Sequence, residues 1–424
     1  MIRRCLLMLF VLCSICTGAQ ERFEVFVSPS PVEPHYRIPA MASLADGTVI
    51  CVADYRYSLR DVGIVKDGRI DLCTRVSRDN GKTWGEIETI VEGKGKESPD
   101  FMNVAFGDPA IVADRKSGRV LLVSCAGNIS YPKGTRDCHL CMVRFYSEDG
   151  GLTWSSPEDM SEDIYALFDD SRYGPAQSMF IASGKIVQSR YVKAGRYYRL
   201  YCALLLTTAR KERVNYVIYS DDFGQTWDVL GGPDVCVINA VADEAKVEEL
   251  PDGSVLISSR YRKGGRRFNV FTYENRKKAV GTWSEAVHSS AHNNGIVTEK
   301  NDCNGEVMVL PVKRNDGRAM YLLLQSAPMG PGRTNVGIYY KPLPSKGTLS
   351  PEDIAKDWEG VFRVTDKGSA YSTMAMLSDG ALGFLYEENT YYPKDSMGYT
   401  IVFDRYTIEQ ITGGKYVPDI KKQH

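Results

Sequence analysis

The stretch Ser77–Trp84, SRDNGKTW, decides the fold because the chain repeats its pattern of serine, aspartate, glycine, threonine and tryptophan. The pattern returns as SEDGGLTW at 147–154 and as SDDFGQTW at 220–227, and Gly281-Thr282-Trp283 could be a worn fourth copy. The intact copies begin 70 and 73 residues apart, and each follows a run of strand-forming residues. In such a turn aspartate accepts hydrogen bonds from amides, glycine permits a positive φ, and tryptophan packs an apolar face.

The rest of the chain has the composition of strands. Short runs rich in Val, Ile, Tyr and Leu alternate with Gly, Asp and Asn, and only Glu158–Phe168 and Pro351–Trp358 could form short helices. A radial repeat with one aromatic motif per unit is typical of a β-propeller. Residues 20–424, divided by about 70 residues per unit, give roughly six units. We therefore predict a single all-β domain at 20–424, a six-bladed β-propeller.

The first nineteen residues have the features of a secretory signal peptide. Met1-Ile2-Arg3-Arg4 is basic, Cys5–Cys16 is apolar but too short to span a bilayer, and small residues end at Ala19. We expect cleavage after Ala19 and a mature protein that is secreted or periplasmic, with no membrane span. Removing Arg3 and Arg4 changes the formal charge from -1 to -3. Such a balance gives no global basic field for nucleic acid or an anionic membrane.

Most common catalytic and metal-binding motifs are missing from the sequence. Cys138-His139-Leu140-Cys141 is a lone CxxC without a second pair of ligands, so we predict no metal site and no cofactor. No HExxH, P-loop or strand-linked GxGxxG pattern occurs, and none of the histidines has a recognisable nucleophile context. Carboxylates, tyrosines and arginines are left to carry any chemistry.

The repeated turn is the Asp box, and with it the chain resembles the bacterial-type sialidase (neuraminidase) family of glycoside hydrolases, related to family 33. Tyr36-Arg37-Ile38-Pro39 is similar to the Arg-Ile-Pro motif of that family. The resemblance implies that Arg37 belongs to a triad of arginines that grips the carboxylate of the substrate. A planar guanidinium suits this task because it binds a carboxylate through two parallel hydrogen bonds and keeps its charge.

The segment after this motif resembles the part of the family that carries the acid. Ala53-Asp54-Tyr55-Arg56 and Asp61 lead through Ile70-Asp71-Leu72 into the first Asp box. The resemblance implies that Asp61 is the general acid for the departing glycosidic oxygen and that Arg56 lines the pocket. Asp54 competes for the acid role, although a structural ion pair with Arg56 is the simpler interpretation of it.

Two further segments are similar to those that carry the base and the other arginines. Within 244–260, the resemblance implies that Glu244 is the base and Arg260 the second arginine of the triad, whereas Lys246 replaces the uncharged polar residue expected there. The segment 332–338 supplies Arg333 as the third arginine. Arg314 and Arg318 flank an Asn-Asp-Gly turn and are expected in solvent.

Ala370-Tyr371-Ser372, with the Asp379-Gly380 turn after it, resembles the part of the family that carries the nucleophile. The resemblance implies that Tyr371 is the nucleophile and that Glu387 is a glutamate that supports Arg37. An ordinary tyrosine is only about 0.1% ionised at neutral pH, because its pKa is near 10. Tyr371 therefore needs an adjacent base, which the resemblance assigns to Glu244.

Taken together, the resemblance implies an exo-α-sialidase that hydrolyses terminal sialic acid from glycoproteins, glycolipids and oligosaccharides through a tyrosyl-enzyme intermediate with retention. Sialidases with a tyrosine nucleophile depart from the usual pair of carboxylates, and a neutral phenol avoids repulsion by the substrate's own carboxylate. Transfer of sialic acid to another acceptor, as in a trans-sialidase, and non-catalytic binding of sialoglycans remain alternatives. In a propeller the inner strands converge on one face, so residues far apart in sequence can meet there.

Overall fold

The computed structural model describes residues 22–29, 33–58, 60–235, 237, 242–299, 303–389 and 398–419. The expected signal peptide at 1–19 and Cys236 lie outside these residues. Within the described part of the chain, six sheets of four or five strands form the six blades of a propeller, and their pairing is antiparallel except for one two-residue parallel strand. The predicted fold is therefore confirmed. No helix in the described ranges is both long and apolar enough to cross a bilayer.

The first three blades follow one another along the chain. The chain enters the fold through β1 (Arg22–Phe26). Blade 1 contains β2 (His35–Ser43), β3 (Val49–Arg56), β4 (Ile70–Ser77) and β5 (Ile87–Val91). Blade 2 contains β6 (Phe106–Ala113), β7 (Val120–Ala126), β8 (Cys141–Ser147) and β9 (Glu158–Asp159), followed by helix α1 (Ser161–Ala166). Blade 3 contains β10 (Ser178–Ile181), β12 (Val187–Ala194), β13 (Tyr197–Thr207), β14 (Arg213–Ser220) and β15 (Asp228–Val229), while β11 (Gly184–Lys185) pairs in parallel with β6.

The last three blades close the ring. Blade 4 contains β16 (Ala242–Glu249), β17 (Val255–Tyr261), β18 (Arg266–Asn275), β19 (Val280–Trp283) and β20 (Val287–Ser289). Blade 5 contains β21 (Val307–Arg314), β22 (Ala319–Pro328), β23 (Val336–Leu343), β24 (Gly360–Arg363) and the C-terminal β28 (Tyr416–Pro418), with helix α2 (Pro351–Ala355) before β24. Blade 6 contains β25 (Ser369–Met376), β26 (Leu382–Glu388) and β27 (Thr400–Tyr406), with α3 (Ile408–Thr412) after it. Its outermost strand is β1, so an N-terminal strand completes the last blade.

Apolar side chains fill the junctions between neighbouring blades. Among the described residues, a separate buried cluster lies at each of the six junctions; Leu121 and Leu204, for example, share the cluster between blades 2 and 3. This packing follows from the sequence, because each blade has two apolar faces and each face is covered by the next blade. The two expected helices are shorter than predicted, since Glu158 and Asp159 form an edge strand and α2 ends at Ala355. The expectation of only two helices was wrong, because α3 also forms, with Thr407 as its N-cap.

The Asp boxes form the turns after β4 in blade 1, β8 in blade 2 and β14 in blade 3. In the first box, Asp79 accepts hydrogen bonds from the Thr83 amide at 2.8 Å and from the Thr83 hydroxyl at 2.6 Å. Asp149 and Asp222 make the corresponding bonds in their own turns. Trp84, Trp154 and Trp227 therefore occupy equivalent blade positions. Trp283 does not, because it lies within β19 and its indole donates to the Leu230 carbonyl.

We expect Asp79→Ala to lower the free energy of unfolding by about 1 kcal/mol, because it removes a charged acceptor from several turn donors. Burial alone would raise the pKa of Asp79, but hydrogen bonds from Thr83 and Ser77 hold it at about 2, below its ordinary 3.8. The contribution of ionised Asp79 to the free energy of unfolding should therefore be complete above about pH 4 and lost as the pH falls towards 2. Denaturant titrations at neutral and acidic pH measure it, with exposed Asp137→Ala as the control. An equal effect of both substitutions at neutral pH would contradict this account of the turn.

Candidate active site

Four inner strands are bent at the same place, and each bend carries a polar side chain. Arg37, Asp108, Glu244 and Tyr371 are each the third residue of β2, β6, β16 and β25, respectively. The pairing of each strand with its neighbour shifts register within one to three residues of that position. A bulge of this kind re-aims a side chain and is common beside active sites. The four bulges lie at the entry ends of the inner strands, so their side chains line one cavity on one face of the propeller.

Tyr371 and Glu244 form the floor of this cavity. The Tyr371 hydroxyl donates a hydrogen bond of 2.7 Å to Glu244 Oε2. Arg260 Nη1 donates to the same carboxylate oxygen at 2.5 Å and to the Tyr371 hydroxyl at 3.2 Å. One guanidinium thus holds both oxygens next to each other, although the two residues are 127 positions apart in the chain.

The surroundings keep Tyr371 protonated in the free protein. Burial and then the Glu244 carboxylate raise the pKa of the Tyr371 hydroxyl well above its usual value, and Arg260 opposes them. Burial would lower the pKa of Arg260, but the Tyr371 and Glu244 oxygens raise it. The arrangement is therefore a neutral phenol that donates to a carboxylate acceptor beside a permanent cation, and a proton can pass along this hydrogen bond.

Arg37 is held by Glu387 from the neighbouring blade. Arg37 Nε donates to Glu387 Oε1 at 2.6 Å, and both side chains are almost completely buried. The same carboxylate accepts hydrogen bonds from the Ile38 amide at 2.8 Å and the Tyr371 amide at 2.9 Å. Glu387 thus fixes the arginine and the backbone of both bulges. Burial would lower the pKa of Arg37, but Glu387 outweighs it and raises the pKa.

Arg333 completes a group of three guanidinium side chains around the tyrosine. Its carbon Cζ lies 5.7 Å from the centre of the Tyr371 ring, and Cζ of Arg37 lies 5.8 Å from the same point. The carbonyl of Arg333 accepts a hydrogen bond from the Ser369 amide at 2.9 Å, which fixes its loop to the start of β25. Arg314 and Arg318 are at the other end of β21, where Arg314 pairs with Asp316 at the surface.

A second charged group occupies the side of the cavity formed by blades 1 and 2. The fully buried guanidinium of Arg56 binds Asp54 at 2.7 Å and Asp61 at 2.5 Å. Asp54 also accepts from the Asp108 amide, and it is completely inaccessible to solvent. Burial raises the pKa of Asp54 to about 6 despite Arg56. Asp54 is therefore part of a structural ion pair and has no free path to a ligand.

Asp61 has the opposite character. Its side chain is 64% exposed and lines the cavity, although one oxygen is bound to Arg56. Arg56, and more weakly Arg37 and Arg333, lower the pKa of Asp61, while burial opposes them. The free protein thus presents a solvent-accessible carboxylate at the mouth of the cavity.

Asp108 was not among the residues selected from the sequence. It lines the cavity, has a φ of 53°, and lies 3.8 Å from Arg56. Burial, followed by the charges of Asp54 and Asp61, raises its pKa well above the ordinary value. A signal was available, because Gly107-Asp108-Pro109 at the start of a strand is unusual for a sheet interior, where proline and glycine are disfavoured.

The cavity has a volume of about 250 Å³ and two different walls. The arginines and carboxylates form one wall. The other is largely apolar and comes from blades 1, 2 and 3: Val62, Ile64, Tyr131, Pro132, Leu140 and Phe180. Such a site fits a small anionic ligand that also carries an apolar group. In the ranges that the structure describes, no three His, Cys, Asp or Glu side chains are grouped as metal ligands.

The chain is similar to a known family along most of its length. Residues 66–384 match the BNR repeat-like domain. The chain is 31% identical to a sialidase of Micromonospora viridifaciens over 84% of its own length, but it spans only about half of that relative (50%). It is 27% identical to a sialidase of Paraclostridium sordellii, over 84% of this chain and 82% of that one.

Solved structures share the fold. The chain superposes on the Hadza microbial sialidase Hz136 with a TM-score of 0.68 and 21% identity, which covers 92% of this chain and 69% of that one. The intramolecular trans-sialidase of Ruminococcus gnavus gives a TM-score of 0.69 and 20% identity, over 91% and 97% of the two chains. At identities of 20–21%, these superpositions show a shared propeller fold and no more than that.

Proposed function

Because this chain belongs to the sialidase family with BNR repeats, we propose that it is an exo-α-sialidase that releases terminal sialic acid from glycoproteins, glycolipids and oligosaccharides with retention. The observation that carries the proposal is the 2.7 Å hydrogen bond from the Tyr371 hydroxyl to Glu244 at the floor of a cavity that holds three arginines. A non-catalytic binding protein has no need for a nucleophile paired with a base.

The arginines supply the recognition of the substrate. Sialic acid has a carboxylate on its anomeric carbon, and Arg37, Arg260 and Arg333 would bind it through charge-assisted hydrogen bonds. Glu387 already holds the Arg37 side chain in place, so binding of the substrate costs little further side-chain entropy at Arg37. A cavity of about 250 Å³ suits one terminal sugar better than an internal one, which favours exo action.

The chemistry begins at Tyr371. Its hydroxyl oxygen attacks the anomeric carbon as the proton passes to Glu244, and the bond from that carbon to the leaving oxygen breaks. Arg260 already donates to the hydroxyl and would stabilise the negative charge that develops on it. A neutral phenol approaches the carboxylate-bearing carbon without the repulsion that an aspartate would meet.

Asp61 is the group placed to protonate the departing oxygen. Its exposure at the mouth of the cavity favours it over Asp54, which is enclosed. After the rest of the glycan leaves and the sialic acid stays bound to Tyr371, the Asp61 carboxylate would accept a proton from water. That water then attacks the anomeric carbon, Glu244 returns its proton to Tyr371, and the product keeps the α configuration.

We expect Asp61→Ala to slow natural sialosides by about 10²–10⁴-fold, while an aryl sialoside with a good leaving group still forms the intermediate. Wild-type turnover of natural sialosides should increase as the pH falls below neutrality, because Arg56 keeps the pKa of Asp61 low and the acid must first gain a proton. Initial rates on both substrates across the pH range measure this. Equal losses of kcat/KM on both substrates in Asp61→Ala would contradict the acid role, because kcat/KM does not include the later step in which Asp61 acts as a base.

The overall proposal is tested by incubating the purified protein with α2,3- and α2,6-sialyllactose and following the products by NMR. Release of α-configured sialic acid, followed by its slow conversion to the β form, is the expected result. A new sialylated acceptor or an intramolecular product would assign the protein to transfer instead. Binding without any product would refute catalysis.

We also propose that residues 1–19 direct export and that the mature chain, 20–424, is secreted or periplasmic. The support is the basic and then apolar pattern of that segment. Expression of the full gene with N-terminal sequencing of the exported protein tests this, and the expected first residue is Gln20. A protein that stays in the cytoplasm with Met1 intact would contradict it.

A further inference from the structure

Side chains from three neighbouring strands of blade 6 surround Arg37. Tyr371 lies on β25 and Glu387 on β26, and Tyr399 stands directly before β27. The centre of the Tyr399 ring lies 5.1 Å from Cζ of Arg37. This distance is shorter than the 5.8 Å between the same atom and the centre of the Tyr371 ring. Arg37 thus has an aromatic neighbour that is neither the proposed nucleophile nor a carboxylate.

Tyr399 is fixed at the seam where the first and the last blade meet. Its carbonyl accepts a hydrogen bond of 2.5 Å from the hydroxyl of Ser28, and the same hydroxyl accepts one of 2.9 Å from the Tyr36 amide. Tyr36 and Tyr399 also form an antiparallel bridge. Because Tyr36 directly precedes Arg37, the backbones of both partners in the contact between the arginine and Tyr399 are tied together.

The ring of Tyr399 belongs to a small apolar cluster beside the proposed nucleophile. Tyr399 is only 4% exposed and packs with Cys303 and Ala370, and the Tyr371 ring packs against the same cluster. Burial raises the pKa of the Tyr399 hydroxyl, and Arg37 opposes that effect. Tyr399 is therefore a neutral phenol at neutral pH, so Arg37 meets an uncharged ring and not a phenolate.

An uncharged ring suits an arginine that must bind an anionic ligand. Glu387 already binds Arg37 through Nε at 2.6 Å and so holds one edge of the guanidinium. A second carboxylate would compete with the carboxylate of a substrate for the remaining N–H donors. The face of an aromatic ring attracts a buried cation and leaves free the in-plane donors that bind a carboxylate.

We propose that Tyr399 is a positioning residue, whose ring packs against Arg37 and holds the guanidinium in the orientation that binds the substrate carboxylate. The inference rests on the proposed function. A cation–π contact of a desolvated arginine is strong enough to change a binding constant by about 5- to 30-fold. Tyr399 does not line the cavity, so it acts on the substrate through Arg37.

The test compares two substitutions of Tyr399. Tyr399→Phe keeps the ring and should match the wild type. Tyr399→Leu removes the ring, so KM for an aryl sialoside and Kd for the non-hydrolysable 2,3-unsaturated analogue of sialic acid should each rise by about 5- to 30-fold. The value of kcat should change much less, because Glu244 and Arg260 still hold the Tyr371 hydroxyl. Steady-state kinetics and titration calorimetry measure these effects, and equal losses in both variants would overturn the proposal.

Tyr198→Leu is the matched control. It removes a similar contact, because the Tyr198 ring lies 4.0 Å from Cζ of Arg115 at the junction of blades 2 and 3. Neither of these two residues lines the cavity, so KM and Kd should match those of the wild type. A loss in this control as large as that in Tyr399→Leu would show that the effect is a general response to losing a buried ring.

A double-mutant cycle separates action through Arg37 from general loosening of the site. In Arg37→Ala the cation is already gone, so adding Tyr399→Leu should weaken binding of the unsaturated analogue no further. A further loss as large as in the wild-type background would refute the positioning role. If Arg37→Ala does not fold, or binds too weakly to be measured, the contrast between Tyr399→Leu and Tyr399→Phe decides.

The outcomes separate the inference from the function on which it rests. A wild-type protein that neither binds the unsaturated analogue nor cleaves any sialoside refutes the proposed function. A wild type that does both, with a Tyr399→Leu variant that equals it in KM and Kd, refutes the positioning role alone.

Discussion

Replacing Tyr371 by phenylalanine should reduce turnover of natural and aryl sialosides alike by more than about 10³-fold, because the ring still packs but the attacking oxygen is gone. The effect should be on kcat, since the arginines that bind the substrate stay in place. Glu244→Gln should slow both substrates by about 10²–10⁴-fold, because Tyr371 then has no acceptor for its proton. Steady-state kinetics on the two substrates measure both effects.

The matched control is Tyr201→Phe. It removes another hydroxyl from a buried tyrosine, one that bonds Tyr273 at 2.8 Å and does not line the cavity. Its activity should stay near that of the wild type. A Tyr371→Phe protein with full activity on both substrates would rule out Tyr371 as the nucleophile.

The second large effect is expected from Arg333→Ala. Loss of a buried, charge-assisted contact with the substrate carboxylate costs about 2–5 kcal/mol, which corresponds to a decrease of about 30- to 5,000-fold in kcat/KM. Among the described residues, Arg333 makes no ion pair like that of Arg37 with Glu387, so its substitution leaves none of their buried acids without its cation. The kinetic loss should therefore come without a large loss of stability, which thermal unfolding checks.

Arg314→Ala and Arg318→Ala are the controls for that experiment. Both arginines lie at the other end of blade 5, and Arg314 pairs with Asp316 in solvent. Exposed pairs of this kind contribute little to stability. Near-normal activity of Arg333→Ala, together with loss of activity in either control, would show that the third arginine has been misassigned.

The fold could be predicted because its decisive signal is local. Each Asp box closes a turn with its own side chains, so the three copies are readable without knowledge of the tertiary structure. A strand-like run precedes each box, and the repeat length of about 70 residues then predicts six blades. Gly281-Thr282-Trp283 suggested a fourth box because it matches the end of the pattern. It lacks the serine and aspartate that close the turn, and it lies within a strand.

The site could be predicted only in part. Arg37, Glu244, Arg260 and Tyr371 meet as expected, and their roles remain predictions. The bulges that aim them were not visible, because a register shift depends on the partner strand as well as on the bulged one. Asp108 was missed as well, although the glycine and proline on either side of it mark an irregular strand.

Burial also decided what the sequence left open. Asp54 and Asp61 both lie next to Arg56 in the chain, and no sequence pattern says which of them is enclosed. Tertiary packing covers Asp54 completely and leaves Asp61 at the mouth of the cavity. Lys246 was an unexplained departure for the same reason, since its partner Glu306 is 60 residues away on another blade.

The central claim is that Tyr371 forms a covalent bond with the sugar, and a fluorinated sialosyl trap tests it most directly. The good leaving group of this compound lets its sugar transfer quickly to the enzyme. The covalent intermediate then hydrolyses slowly and therefore accumulates. Intact-protein mass spectrometry should show one added fluorosialosyl group, and peptide mapping should place it on Tyr371. A label on any other residue, or a label of the same extent in Tyr371→Phe, would contradict the account.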